Sequence, residues 1–413
     1  MRGFIGLSLL LLAAWTLSEN KRRFPRRVVL SGLAAQFALA LLFFKFPFFQ
    51  HLFLKLNVVV DALRESTEEG TKFVFGYLGG GDAPFEMKYP QSSFVLAFRV
   101  LPLILVVSAL SALLFHWRVL PWVVRSAGHA LRKTMGIGGA LGIGVAANIF
   151  LGMVEAPLMV APYIRKMSRS ELFALMVSGM ATIAGTVLFL YAVILGKTVP
   201  NALGNILVAS IISAPASILV AFLMVPPEKE AEGTEGDLSA AIDYRSSMDA
   251  IVSGVETGVK LLINIVAMLM VLVALVALAN IILRAFPSVG GAPLTLQRML
   301  GWAMAPVMWL IGIPWGEAAT AGRLMGVKTV LNEMIAYIDM ANLPEGALSE
   351  RARIIMTYAM CGFANFGSLG IMIGGLNSIA PERRDEILSL GLKSIVAGTI
   401  ATLMTGAVAG IVM

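Results

Sequence analysis

Charged side chains are scarce in this chain of 413 residues: Asp, Glu, Lys and Arg together make up 14%. Soluble domains carry about 25%, and here a hydrophobic content of 58% and a mean hydropathy of +0.84 take up the difference. The chain therefore reads as an integral membrane protein. Cysteine is nearly absent. The single Cys361 excludes an intramolecular disulfide, and no CxxC or Cys/His grouping offers a structural metal site. Histidine is almost as rare, with His51, His116 and His129 near the ends of apolar runs and no cluster to relay protons. The runs also lack a His/Asp or Cys/His constellation, which argues against a membrane-embedded enzyme. The formal net charge of +7 does not point to nucleic acid, because the basic residues sit in short loops between apolar runs.

What is present is length. Apolar stretches long enough to span a bilayer, about 20 residues, lie near 4–18, 28–48, 94–115, 171–196, 202–225, 253–286, 352–380 and 390–413. The expected fold class is an all-α integral membrane protein with eight transmembrane helices. The first run, FIGLSLLLLAAWTL, is followed at once by ENKRRFPRR, whose basic residues resist translocation, and no convincing small-residue cleavage pattern follows it. An uncleaved first span with the N-terminus outside is expected. Segments 50–76, 119–134 and 238–252 mix charged and apolar residues and read as amphipathic helices lying on the membrane. PPEKEAEGTEGD, at 226–237, is a solvated cytoplasmic linker that separates two halves.

Two further apolar segments, 136–165 and 297–340, are interrupted, at LGMVEAP and at IGIPWGEAATAG. Glycine and proline there free backbone groups that lipid cannot satisfy, so the breaks must face protein or water. Each segment is expected to be a re-entrant hairpin. Each is also followed by a span with its own break, ATIAGT at 181–186 and FANFGSLG at 363–370. A broken hairpin followed by a broken helix, once in each half, is the signature of a secondary transporter with inverted repeats. Charge supports the inversion: Arg132, Lys133, Arg165, Lys166 and Arg169 flank the first hairpin on the side that also holds Arg383 and Arg384. The expected divisions are scaffold helices 1–134, first repeat 135–225, linker and interfacial helix 226–252, long scaffold helix 253–296 and second repeat 297–413.

The polar residues inside these segments follow. Glu155 and Glu333 would each cost at least about 2.5 kcal/mol as unpaired charges, so a partner or substrate is expected. Asn148, Thr182, Asn332, Asn365 and Ser368 each suit helix-helix hydrogen bonding when taken singly. Together they sit at or beside the breaks, which favours a site. Arg99 reads as a structural pairing or a snorkelling side chain. Cys361 and the methionines read as packing.

At these residues the sequence resembles the concentrative nucleoside transporters, bacterial type, over nearly its whole length. AANIFLGMVEAPLMVAPYIRKMSRSELFALMVSGMATIAG, IGIPWGEAATAGRLMGVKTVLNEMIAY and CGFANFGSLGIMIGGLNSIAPERR match in order and spacing. The resemblance implies eight transmembrane helices with two opposed hairpins, a homotrimer in the cytoplasmic membrane, and ion-driven nucleoside uptake. It places ribose contacts on Glu333, Asn365 and Ser368, with Phe363 lining the pocket, and an ion site on the side chains of Asn148 and Thr182 and the carbonyls of Leu151 and Ile183. That hard-oxygen set suits Na⁺; coupling to H⁺ stays open as an alternative.

The nucleobase end departs from the family pattern. Where the family commonly has Gly-Gln-Thr-Glu-Ala-Pro, this chain has Gly152, Met153, Val154, Glu155, Ala156 and Pro157. Glu155 is retained, and Val187 matches an apolar base contact. Loss of an amide and a hydroxyl removes partners for a polar pyrimidine edge, which points to a larger or less polar base such as a purine. A same-fold carrier of a free base or a modified nucleoside is the nearer rival, and the retained ribose contacts argue against a free base.

Overall fold

The computed structural model describes residues 2–86, 95–227, 234–235 and 244–413. Among them the chain is helical and contains no strand, only an isolated bridge between Val289 and Ala292. The first half runs α1 (Arg2–Thr16), α2 (Arg26–Lys45), α3 (Pro47–Phe75), α4 (Leu96–Arg99), α5 (Leu103–His116), α6 (Val119–Met135), α7 (Gly139–Asn148), α8 (Glu155–Leu158), α9 (Ala161–Ile164), α10 (Arg169–Ala181), α11 (Gly185–Leu195) and α12 (Ala202–Met224). The second runs α13 (Ser247–Leu283), α14 (Leu296–Leu310), α15 (Trp315–Val330), α16 (Glu333–Ala341), α17 (Glu350–Met360), α18 (Phe366–Ile379) and α19 (Arg384–Val412).

Six helical stretches among the described residues are long and apolar enough to cross a membrane: 26–45, 96–116, 169–195, 202–224, 247–283 and 381–412. Of the eight expected spans, 4–18 falls on α1, which has 15 residues, and 352–380 falls on α17 and α18 with a break between them. Helices α10, α12 and α19 are buried on nearly every side. Their sequences are apolar all round with Gly, Ala and Ser at close contacts, as helices buried by other helices require. Gly398 shows the constraint: a Cβ there would lie 2.6 Å from Cβ of Met180 on α10.

Helix starts follow local capping. Ser168 and Glu171 form a reciprocal capping box that opens α10. Ser246 accepts from the N–H of Asp249 and opens α13. This corrects the expected interfacial helix at 238–252: residues 236–243 lie outside the described residues, and 247–252 are the first turns of α13, where nothing interrupts the helix before the apolar run. Most of the linker at 226–237 also lies outside them.

The chain contains two units of helix, break and helix. In the first, α7 ends at Asn148 and α8 begins at Glu155. In the second, α15 and α16 are separated only by Leu331 and Asn332, with Leu331 at φ −94° and ψ −94°. The expected break at IGIPWGEAATAG is present, between α14 and α15, but it is not the break inside this second unit. Gly312, at φ +113°, turns the chain between α14 and α15, which pack so closely that a Cβ on Gly322 would lie 2.5 Å from the carbonyl oxygen of Gly301. Glycine and proline made that turn conspicuous, whereas the second unit's own break carries neither.

The two units approach from opposite ends of α19. At its start, Arg383 donates to the carbonyls of Ile164 (2.8 Å) and Met167 (2.6 Å), and Arg165 pairs with Glu382 at 2.8 Å. At its end, Arg351 donates to the carbonyl of Gly410, while Glu317 of α15 accepts from Ser349 beside it. A helix of 29 residues separates these ends by about 43 Å at 1.5 Å per residue. The two breaks meet between them.

Candidate functional site

A cavity lies where the breaks converge. Together with the space open to the exterior, its empty volume is about 860 Å³. All nine residues singled out in the sequence for substrate line it: Gly152, Met153, Val154 and Glu155 from the first break, Val187 from α11, Glu333 from α16, and Phe363, Asn365 and Ser368 from the break before α18. Sequence distance is large and spatial distance small.

Glu333 is the anchor of the polar end. Tyr191 donates its hydroxyl to Oε1 at 2.6 Å, and Asn365 donates Nδ2 to Oε2 at 3.0 Å. A carboxylate offers about four lone-pair positions, so two remain. Asn365 is fixed in turn because Oδ1 accepts from the N–H of Ser368 at 2.8 Å and caps α18. Asn332 caps α16 in the same way, accepting from Ile335 at 2.9 Å. A cap of this kind contributes about 1 kcal/mol, but its greater effect here is to end each helix with oriented amides at the cavity. The arrangement can hold a ligand with neighbouring hydroxyl groups.

The opposite end is mostly apolar. Met153 and Val187 are buried, and Val154 packs on α18 so closely that a Cβ on Gly375 would sit 2.8 Å from a Val154 methyl. Glu155 folds back over Gly152, where a Cβ would lie 2.1 Å from Oε2. A side chain at position 152 would push the Glu155 carboxylate away from this position.

The four residues singled out for an ion also come together, beside this cavity. Thr182 Oγ1 lies 2.9 Å from the Asn148 carbonyl and 2.8 Å from that of Ser178, and Asn148 Nδ2 donates to Ser178 at 3.3 Å. The other amide atom, Asn148 Oδ1, is buried without a hydrogen-bond partner among the described residues. Gly185 N–H donates to the Phe150 carbonyl at 3.0 Å, tying the break after Asn148 to the break after Ala181. Among the described residues the carbonyls of Leu151 and Ile183, which lie in those breaks, accept no backbone hydrogen bond. The donor set is oxygen throughout and fits a small hard cation.

Several cavity residues were not singled out. Tyr191 sits in an apolar run that gives no hint of its bond to Glu333, and Asn264 stands alone in the long apolar α13; both line the cavity. Lys328, on α15, is fully buried with Nζ unpartnered among the described residues. A lysine inside an apolar segment was a signal available in the sequence.

A helical membrane protein with two helix-break-helix units meeting at a mixed polar and apolar cavity belongs to the class of membrane transporters. Comparison with known proteins supplies the family. Residues 205–410 match the Na⁺ dependent nucleoside transporter C-terminus, 5–78 the corresponding N-terminus, and 97–198 a nucleoside recognition Gate domain. The chain is 37% identical over 412 residues to the Bacillus subtilis transporter YutK, covering 99% of this chain and 98% of that protein. It is 35% identical over 414 residues to the nucleoside permease NupC of Helicobacter pylori, covering 98% and 96%. The solved structure of CNTnw in an inward-facing substrate-bound state superposes with a TM-score of 0.88 at 36% identity, covering 100% of this chain and 98% of that one. The chain belongs to the concentrative, Na⁺-dependent nucleoside transporter family, whose members are transporters and not enzymes.

Proposed function

We propose that this protein is a secondary active symporter that imports nucleosides across the cytoplasmic (inner) membrane, coupled to Na⁺. The observation that carries the reading is the Glu333 carboxylate, held by Tyr191 and Asn365 with lone pairs to spare beside the Ser368 hydroxyl. That set suits the vicinal hydroxyls of a ribose. The base lies toward Met153, Val154, Glu155 and Val187, with Phe363 along the pocket, and the replacement of polar groups by Met153 and Val154 shifts selectivity away from uridine. Na⁺ takes Asn148, Thr182 and the carbonyls of Leu151 and Ile183.

In this reading the chain makes eight transmembrane crossings. The units 139–164 and 315–341 are re-entrant hairpins belonging to repeats 135–225 and 297–413, and 226–246 is the cytoplasmic connection. Residues 1–134 and 247–296 form the scaffold of a homotrimer in lipid. Because ion and nucleoside complete one site, each raises the affinity of the other, and this reciprocity couples their fluxes.

The test is uptake of radiolabelled uridine, cytidine, adenosine and guanosine into proteoliposomes, with and without an inward Na⁺ gradient at fixed pH. Saturable, Na⁺-dependent uptake is expected. Uptake driven by a pH gradient and indifferent to Na⁺ would replace the ion by H⁺, and uptake of none would overturn the nucleoside reading.

A further inference from the structure

The wall of the cavity formed by α13 is a single stripe, Leu261, Asn264, Ile265, Met268 and Leu272, spaced as one helix face requires. Between Lys260 and Asn280, Asn264 is the one side chain on this helix able to make a strong hydrogen bond. A primary amide in an apolar span is costly unless it finds a partner, and no side-chain hydrogen bond to Asn264 occurs among the described residues. Lipid would leave the amide unsatisfied, and the cavity is the polar surface it adjoins. One turn further on, Met268 reaches the first turn of α18, its Cε 3.1 Å from where a Gly367 Cβ would be. The stripe therefore abuts the helix that carries Asn365 and Ser368.

We propose that Asn264 is a specificity-determining residue that reads the hydrogen-bonding edge of the nucleobase from the α13 wall. This rests on the nucleoside reading above. The first break presents methionine and valine, so no amide or hydroxyl from residues 153 and 154 contacts the base edge. An amide donates and accepts at once, and it matches base edges that place a donor beside an acceptor: N6 and N7 of adenine, N4 and N3 of cytosine. With a base that lacks exocyclic groups it keeps only one of the two bonds, from its N–H to a ring nitrogen. Recognition is thus divided, with the hydroxyls held by the second repeat and the base edge held by α13.

The test is calorimetric binding to purified full-length protein in Na⁺, comparing wild type with Asn264→Leu. The ligands are adenosine, cytidine, purine riboside, which lacks the exocyclic amine, and 2′-deoxyadenosine. Adenosine or cytidine should weaken by about 5- to 10-fold in the variant, purine riboside by a smaller factor because it makes one of the two bonds, and the adenosine to 2′-deoxyadenosine ratio should not change. Asn264→Gln should recover part of the loss. Equal weakening of all four ligands, no weakening, or a change of oligomeric state accompanied by uniform loss would overturn the proposal, the last by making Asn264 an interface residue. If wild type binds purine riboside but neither adenosine nor cytidine, the nucleoside reading stands and this inference fails. If it binds none of the four, both fail.

Discussion

Asn365 and Glu333 come from different helices, 32 positions apart in sequence, and meet at 3.0 Å across the cavity, the amide of one donating to the carboxylate of the other. The bond is charge-assisted, and the remaining oxygen positions of Glu333 are those the proposed ribose would use. Hydrogen bonds to charged groups contribute about 1.5–3 kcal/mol, or roughly 10- to 150-fold in affinity. Glu333→Gln should therefore weaken a ribonucleoside by at least about 10-fold, and a dideoxynucleoside, which lacks both hydroxyls, much less. Calorimetric titration of both ligands checks this. Equal losses would show that Glu333 supports the fold rather than the sugar.

At the apolar end, the double substitution Met153→Gln/Val154→Thr restores an amide and a hydroxyl. Each neutral hydrogen bond contributes about 0.5–1.5 kcal/mol, so the two together should raise uridine uptake relative to adenosine by roughly 5- to 150-fold. Competition in proteoliposomes reads the ratio directly. An unchanged ratio would remove these two positions from base selection.

Most of the site was legible because its breaks are written in the sequence. LGMVEAP, ATIAGT and FANFGSLG interrupt apolar runs with glycine and polar residues, and all three face the cavity or border it. The second unit was misread for the same reason: IGIPWG has the conspicuous residues and breaks the chain between α14 and α15, yet the break that lines the cavity is Leu331 and Asn332, where an asparagine cap starts α16. Tyr191 and Asn264 were missed because a helix shows which face is polar only when several polar residues share it, and each of these stands alone in an apolar stretch. The expected opposition of the two units was drawn from the arginines and lysines; the bonds of Arg383 and Arg351 lie at the two ends of α19.

Lys328 is fully buried, its Nζ makes no hydrogen bond among the described residues, and it interacts electrostatically with Glu333, five positions on. Removing one member of a buried pair of opposite charges leaves the other uncompensated and costs about 3–5 kcal/mol. Lys328→Met is accordingly expected to lower both the thermal midpoint and uptake. A variant that keeps its thermal midpoint would show that Lys328 does not compensate Glu333.

Outside the apolar core, Glu19 follows α1 and bonds Arg169 at 2.9 Å and also Lys393. The Arg169 guanidinium, with the Lys393 ammonium, holds its carboxyl at about 2 against an ordinary value of 4.5. Since the folded value is the lower one, the contribution to stability is complete above about pH 4.5 and is lost as pH falls toward 2. Wild type should melt above Glu19→Gln at neutral pH, and the gap should close between pH 4.5 and 2. Solvent screens this pair, so the gap will be small. A gap that persists at pH 2 would assign the effect to packing.

The proposed ion site allows a sharper separation of roles. Thr182 Oγ1 and Asn148 Oδ1 are side-chain oxygens at the first pair of breaks, and neither belongs to the Glu333 network. Thr182→Val removes one oxygen at nearly constant volume, so the apparent Na⁺ affinity for uptake should fall by about 10-fold or more. At saturating Na⁺ the nucleoside affinity should return close to wild type, because the sugar contacts are intact. At low Na⁺ it should be weaker, by the same factor through which nucleoside strengthens Na⁺ binding, since coupling between two ligands is reciprocal. Nucleoside titrations across a series of Na⁺ concentrations give both factors. If the coupling factor is close to one, the two ligands do not share one assembled site, and if Na⁺ affinity is unmoved, the cation binds elsewhere.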